Sequence, residues 1–237
     1  MGQKKLHRFA EIKNFKNVFE YPENMASQWK NFFKNENSLT LELACGKGEY
    51  TLGLARMYAH RNFLGVDVKG NRIWKGAKTA LNEGLDNVAF MRTQIDRIEE
   101  YFAEDEVSEI WITFPDPQLR ISRIEKRLTH PKFLRKYQRF LQTEGIIHLK
   151  TDSPDLYAFT KTVIELYDLI LLEDNDNIYK SENIKEELKI KTHYEGLDIA
   201  GSAKVHYLMF QLKGNLPIEK DAHLKEIIRE KTIGAGC

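Results

Sequence analysis

Four short stretches of this 237-residue chain carry residue types at spacings suited to holding a ligand. The first is Glu42-Leu43-Ala44-Cys45-Gly46-Lys47-Gly48, two glycines directly after an alternating apolar run. Glycine permits a tight turn and a close approach of backbone to ligand. Asp67 closes the next apolar run, Asn62 to Asp67, where a carboxylate can accept both hydroxyls of a ribose. A dinucleotide fingerprint would need a third glycine at position 51, where Thr51 stands, so a nicotinamide dehydrogenase is disfavoured. Glu42 beside the turn would also repel a pyrophosphate and attract the ammonium of a cationic ligand. The second stretch is Phe114-Pro115-Asp116-Pro117, in which two prolines fix the backbone on either side of one carboxylate. A rigid turn alone would have the same residues, but here cations begin three residues later. A stiff carboxylate bordered by arginines suits a site that holds a base by its donor edge and phosphates by cations.

The third and fourth stretches are Lys150-Thr151-Asp152 and Lys191-Thr192-His193-Tyr194-Glu195. Asp152 would face the same edge as Asp116. Thr192 and Glu195 also have the spacing of a capping box, so a helix start is an equal reading of that pair. No histidine forms a metal-ligand spacing with another histidine or a cysteine, so no metal is expected. Ser-His-Asp and Cys-His nucleophile arrangements are unsupported, because Cys45 sits in an acidic turn that discourages a thiolate.

The elements that must position these residues follow from apolar periodicity. Strands are expected at 39–44, 62–67, 87–92, 110–114 and 145–150, with helices at 49–57, 71–83, 131–141 and 154–167 between them. Pro115 stops the fourth strand, and Pro131 stands where proline suits a first helical turn. Strands that alternate with helices imply βαβ units and a parallel sheet covered on both faces. The apolar runs 169–172 and 206–212 add two closing strands, the last antiparallel, for seven in all. Residues 1–24 read as a mobile basic arm, 25–215 as one domain, and 216–237 as a C-terminal helix over 216–231 with a frayed tail, 232–237, ending in Cys237.

Composition narrows the class of protein. At 42% hydrophobic and 30% charged residues, with 14 Gly and 6 Pro, the chain is an ordinary globular one. Two cysteines make no disulfide framework, and no apolar run approaches the ~18 residues of a membrane span. A reducing, cytoplasmic location with no membrane partner is expected, as monomer or homodimer. The formal net charge is +1, yet between Leu119 and Arg139 stand eight cations against one anion, Glu125. Such a concentration in an otherwise acidic chain builds a field suited to docking a polyanion, although a solvated helix face is the commoner meaning of a charge run. Arg120, Arg123, Lys126 and Arg127 are the expected phosphate contacts.

Together these residues resemble the bacterial tRNA (guanine-N(7)-)-methyltransferases, class I S-adenosylmethionine enzymes, over about Leu39 to Leu212. The most specific parts are Phe114-Pro115-Asp116-Pro117 followed by Arg127-Leu128, the strand end Leu149 to Asp152, and Thr192-x-x-Glu195. The resemblance implies a Rossmann-like α/β fold with a mostly parallel sheet, and methyl transfer from S-adenosylmethionine to a tRNA guanosine, position 46 of the variable loop in the family. It implies that Glu42, Gly46, Gly48 and Asp67 hold the cofactor, with Gln94 at its adenine. Asp116 falls in the position called catalytic and borders the cofactor. Arg120, Asp152, Thr192, His193, Tyr194 and Glu195 fall where the family contacts substrate, joined by Arg123 and Arg127 from the basic run. The chain departs from the family pattern in having Gln94-Ile95 for Asp-Ala, Gln118-Leu119 for Trp-Pro, and Arg120 for a lysine; the first departure leaves the adenine contact to Gln94 or Asp96. Nitrogen 7 of guanine carries a free lone pair and no proton, so the transfer needs no general base. A methyltransferase for another substrate, and a non-enzymatic RNA-binding protein on this fold, are the competing functions.

Overall fold

Apolar runs that alternate with amphipathic ones become the strands and helices of a layered sheet. The computed structural model describes residues 3–197 and 201–234. Its strands are β1 (Val18–Glu20), β2 (Leu39–Leu43), β3 (Asn62–Asp67), β4 (Val88–Arg92), β5 (Val107–Thr113), β6 (Leu141–Thr151), β7 (Ile170–Asn175) and β8 (His206–Gln211), in spatial order β1-β4-β3-β2-β5-β6-β8-β7. All neighbours from β1 to β6 pair in parallel, and β8 runs antiparallel to both β6 and β7. The helices are α1 (Gln3–Ile12), α2 (Trp29–Phe33), α3 (Glu49–Met57), α4 (Gly70–Glu83), α5 (Pro131–Tyr137), α6 (Pro154–Leu166) and α7 (Lys220–Gly234). No helix among the described residues is long and apolar enough to cross a membrane.

Every residue of β2 and β3 is buried, as expected for parallel strands covered on both faces. One face packs Leu41, Leu64, Ile110 and Leu149 against α5, α6 and α7 through Phe133, Leu134, Phe159 and Leu224. The other packs Phe63, Phe90 and Trp111 against α3 and α4 through Tyr50, Leu54, Ile73 and Ala77. The chain proceeds from β2 outward through β3 and β4, then returns to place β5 on the other side of β2. This reversal opens a crevice beyond the carboxyl ends of β2 and β5, where open α/β sheets bind ligands.

Four expectations need correction. The sheet has eight strands rather than seven, and the extra one, β1, comes from the segment expected to be a mobile arm. That segment is docked: Ile12 is fully buried, Glu11 accepts hydrogen bonds from Trp74 Nε1 and Lys78 Nζ at 2.8 Å each, and β1 pairs with β4. Its basic residues masked a single buried face, and three strand residues are too few to show alternation. The helix expected at 131–141 ends at Tyr137, because Phe140 and Leu141 are buried where β6 begins. The C-terminal helix starts at Lys220 and includes Thr232, expected in the tail, while Cys237 lies outside the described residues.

Gly48, Gly65 and Gly76 surround the ring of Phe90, and this contact seats the turn after β2 on α4. A Cβ on Gly76 would stand 2.5 Å from the Lys47 carbonyl oxygen and 2.7 Å from the Phe90 ring. Gly76→Ala should therefore lower unfolding stability by about 1–3 kcal/mol, the usual range for overpacking. Urea unfolding measures it, and an unchanged midpoint would show that turn and helix separate freely.

Candidate active site

The turn that follows β2 is held open by backbone conformation and closed by charge. Ala44 (φ 58°), Gly46 (φ 58°) and Gly48 (φ 73°) all adopt left-handed geometry, and Gly48 N–H donates back to the Cys45 carbonyl at 2.8 Å. Asp67, at the tip of the adjacent β3, accepts Gly46 N–H on Oδ2 at 3.0 Å and Lys69 N–H on Oδ1 at 2.8 Å. Its carboxylate thus fixes the turn against β3 while each oxygen keeps a lone pair. Gln94 follows Thr93, whose N–H donates to the Asp67 carbonyl at 3.2 Å, so the exposed Gln94 stands at this same edge. Asp96 is engaged elsewhere, by Lys132 at 2.9 Å.

Glu42 lies below the turn and is only 3% exposed. Its Oε2 accepts from Thr51 N–H (2.8 Å) and Thr51 Oγ1 (2.5 Å), and its Oε1 from Thr113 Oγ1 (2.9 Å). Burial pushes its carboxyl up to about 7, against the opposing pull of these hydrogen bonds. Burial and then the neighbouring Glu42 and Asp67 push the Cys45 thiol well up, so it stays protonated.

Thr113 carries the site from β2 to the end of β5. The next residue, Phe114, is left-handed (φ 46°), and its N–H donates to the Lys150 carbonyl at 2.8 Å. An aromatic residue in this region is strained, and strain held by surrounding contacts recurs at functional sites. It turns the chain so that Pro115 is buried and Asp116 exposed. Asp116 Oδ1 accepts the Gln118 N–H at 3.0 Å, which orients the carboxylate within its own loop. Asp116, Pro117, Gln118, Leu119, Arg120 and Arg123 line an open cavity of about 330 Å³.

The basic run divides into two parts. Lys132 pairs with Asp96, Arg135 with Asp221, and both Lys136 and Arg139 with Glu99, so half of its cations are neutralised within the protein. Arg127, expected to meet phosphate, is turned inward: it is 5% exposed, its guanidinium lies 4.6 Å over the Phe159 ring, and it donates to the Gln118 carbonyl at 3.4 Å. Arg120, Arg123 and Lys126 remain exposed and make no ion pair among the described residues. Across the crest, Lys47 and Lys69 flank the glycine turn, also without an ion pair among the described residues, and the Arg72 guanidinium lies 5.3 Å over the Tyr194 ring.

The segment after β7 closes over this crest. Thr192 Oγ1 accepts Glu195 N–H at 3.2 Å, which is the capping half of the expected box, and a short 3-10 turn, Glu195–Leu197, follows. Glu195 does not complete the box; its carboxylate pairs with Lys150 at 3.0 Å and accepts the Tyr179 hydroxyl. The Tyr194 ring lies 3.9 Å from where a Gly46 Cβ would stand, and exposed His193 meets its edge at a centroid distance of 5.5 Å. Asp152 is half-buried just beyond β6, and Ser202 Oγ donates to its carbonyl at 2.8 Å. The structure therefore brings Glu42, Gly46, Gly48, Asp67 and Gln94 to one side of the crest, Asp116, Arg120 and Arg123 to the other, and Thr192 to Glu195 beside the turn. Sequence reasoning missed Thr51 and Thr113, which hold Glu42, and the burial of Lys150. The signal for Thr51 was present, but it was read only as a missing glycine.

A parallel sheet that reverses beside a glycine turn, with acids at the tips of successive strands, defines the class I methyltransferase fold. Solved structures share it: the 16S rRNA methyltransferase KamB aligns with a TM-score of 0.61 at 14% identity, covering 84% of this chain and 99% of its own. The 30S ribosomal A1408 methyltransferase from an uncultured bacterium aligns with a TM-score of 0.59 at 16% identity, covering 83% and 98%. The family described as "Putative methyltransferase" matches residues 36–207. A tRNA (guanine-N(7)-)-methyltransferase of Christiangramia forsetii is 47% identical over 90% of this chain and 100% of its own length, and one of Bacteroides fragilis is 45% identical over 90% and 87%. The chain belongs to the tRNA (guanine-N(7)-)-methyltransferase family.

The raised carboxyl of Glu42 has a defined pH signature. A group whose folded pKa lies above its unfolded value contributes stability that is full below pH 4.5 and is lost as pH rises through about 7. The carboxyl carbon resonance of Glu42 in the free protein should titrate near pH 7, and the stability of the wild type relative to Glu42→Gln should fall across that window. A midpoint near 4.5 would mean that the three hydrogen bonds fully offset burial.

Proposed function

We propose that the protein transfers the methyl group of S-adenosylmethionine to nitrogen 7 of a guanosine in tRNA, at position 46 of the variable loop. The observation that carries this reading is the placement of Asp116 and two unpaired arginines around one open cavity, on the same sheet crest as the glycine turn clamped by Asp67. The residues present fit the cofactor: the turn lacks a Cβ where Gly46 faces Tyr194, and the nearby side chains Glu42, Asp67 and Glu49 are acids, which suit a cationic donor and disfavour a pyrophosphate. S-adenosylmethionine supplies an activated methyl on a sulfonium.

The work left to the chain is positioning. Asp67 accepts the ribose hydroxyls with its remaining lone pairs, Glu42 favours the ammonium of the methionine part, and Gln94 offers an amide to the adenine. Asp116 orients the guanine by its donor edge and, as positive charge develops on the purine, stabilises it from a fixed position. Holding the purine in line at near-attack distance is where effective molarity supplies several kcal/mol. No group is needed to remove a proton, because nitrogen 7 bears none. Exposing a guanosine from tRNA tertiary structure costs a few kcal/mol, which phosphate contacts by Arg120, Arg123 and Lys126, and by Lys47 and Lys69 across the crest, offset.

The reading is tested by nucleoside analysis of tRNA incubated with protein and S-adenosylmethionine: 7-methylguanosine is expected, and its absence rejects the reaction. Asp116→Ala should lose turnover by at least about a hundredfold while cofactor affinity stays within about twofold, the pattern of an interaction made in the transition state. Unchanged turnover would remove Asp116 from the reaction. Binding of tRNA should weaken steeply with salt, and Arg120→Ala/Arg123→Ala should flatten the log-log slope by about 1 to 2. Equal slopes in the two proteins would place the phosphate footprint elsewhere.

A further inference from the structure

Asp67, which clamps the glycine turn, stands in a row of charged residues across three strands. In register it pairs with Arg92 at the end of β4, and Arg92 pairs with Glu20 at the end of β1. Register partners in a sheet emerge on the same face, so the row reads acid, cation, acid. Arg92 Nη1 donates to Glu20 Oε2 at 2.6 Å, and its Nε donates to the Val68 carbonyl at 3.3 Å, in the loop between Asp67 and α4. The guanidinium also lies 5.1 Å from the ring centroid of Phe9 in α1 and 5.5 Å from that of Tyr21. A planar guanidinium can serve an ion pair, a carbonyl and aromatic faces at once. Three stretches distant in sequence, at Phe9, at Glu20-Tyr21 and at Val68, thus meet on one side chain that the transfer as described does not use.

The loop held in this way is the one that aims the Asp67 carboxylate. On its inner side Asp67 itself fixes it: Oδ1 accepts Lys69 N–H at 2.8 Å, and the carbonyl accepts Thr93 N–H at 3.2 Å. On its outer side the N-terminal segment fixes it, because a Cβ on Gly70 would stand 3.0 Å from Phe9 Cε1 and 3.2 Å from Arg92 Cδ. Tyr21 is left-handed (φ 48°), and its N–H donates to the Arg92 carbonyl at 3.0 Å. Such a conformation persists in an aromatic residue only where its surroundings hold it. The segment that docks through Ile12 and β1 therefore also reaches the crest, on the side of Asp67 away from the glycine turn.

We propose that Arg92 is a positioning residue of the cofactor site, and that the N-terminal segment 9–21, gathered on it, is the outer brace of the loop that carries the Asp67 clamp. The inference rests on the proposed use of S-adenosylmethionine. A loop already braced loses less freedom when a ligand binds, so the brace raises cofactor affinity. By linkage, a bound cofactor must in turn tighten the docking of the N-terminal segment by the same factor.

Arg92→Leu and Phe9→Ala, singly and together, are compared with the wild type in the full chain by calorimetric titration with S-adenosylhomocysteine, by turnover on tRNA and by urea unfolding. Arg92→Leu should weaken the affinity about tenfold, a usual size for coupled sites, and raise KM for S-adenosylmethionine to match, with kcat changed less than about threefold. In the double variant the losses should not multiply, because each substitution opens the same brace. Affinity within about twofold of the wild type, with only the unfolding midpoint lowered, would make Arg92 a support of the fold alone and overturn the proposal; so would a loss confined to kcat. In the wild type, saturating S-adenosylhomocysteine should slow tryptic cleavage after exposed Lys13, between α1 and β1, by about the same tenfold, and equal rates with and without it would contradict the linkage. Should Arg92→Leu fail to fold, Glu20→Gln with Phe9→Ala reads the same coupling, with wild-type affinity as the contrary result. A wild type that binds no S-adenosylhomocysteine refutes the cofactor reading itself, whereas binding that these substitutions leave unchanged refutes only the brace.

Discussion

A carboxylate removed from water holds the site together. Glu42 takes a backbone N–H and a hydroxyl from Thr51 in the first turn of α3 and a hydroxyl from Thr113 at the end of β5. Those three bonds join the strand before the glycine turn, the helix after it, and the neighbouring strand that leads to Asp116. The strands β2 and β5 run parallel, but the winding order of the chain reverses between them, so the carboxylate sits beside the crevice that this reversal opens. Burying such a group costs free energy unless it is hydrogen-bonded, and the raised proton affinity of Glu42 reflects that cost. In the proposed reaction the arrival of a cation favours the ionised form, so the same group senses whether the cofactor is present.

Charge is arranged on a second level around this point. Half the cations of the 119–139 segment pair with acids of the 95–101 turn and of α7, where they dock α5 against its neighbours. Other cations without an ion pair among the described residues stand at the crest instead: exposed Arg120, Arg123 and Lys126 beyond β5, and half-buried Lys47 with exposed Lys69 beside the glycine turn. A linear count of charge treats these two groups alike, although screening and pairing make them different: a paired cation adds little field at the surface, whereas an unpaired one attracts phosphate over about a Debye length.

The parallel core was legible in the sequence because buried strands advertise themselves by apolar runs ending in Gly, Asp or Pro. The expected runs 39–44, 62–67 and 110–114 correspond to β2, β3 and β5, although β5 begins three residues earlier, at Val107, where alternation is broken by Ser108 and Glu109. The contribution of the N-terminal segment was hidden, since Leu6, Phe9 and Ile12 are interspersed with charges in α1 and β1 is three residues long. Arg127 and Glu195 were legible as charged residues of a motif but not as buried ones. Their burial depends on Phe159 and Lys150, partners more than thirty residues away, which spacing along the chain does not reveal. Thr51 shows the converse: its place in the sequence excluded a dinucleotide, while its hydroxyl proved to be what secures Glu42.

The convergence of acids on one cation-binding crest is most directly tested by a crystal structure of the protein with S-adenosylhomocysteine. The ribose hydroxyls should lie within hydrogen-bond distance of Asp67, the amino group on the Glu42 side of the glycine turn, and the sulfur opening toward Asp116. A ligand seated anywhere other than between the ends of β2 and β5, or one whose sulfur faces away from Asp116, would contradict the arrangement on which the proposed transfer depends.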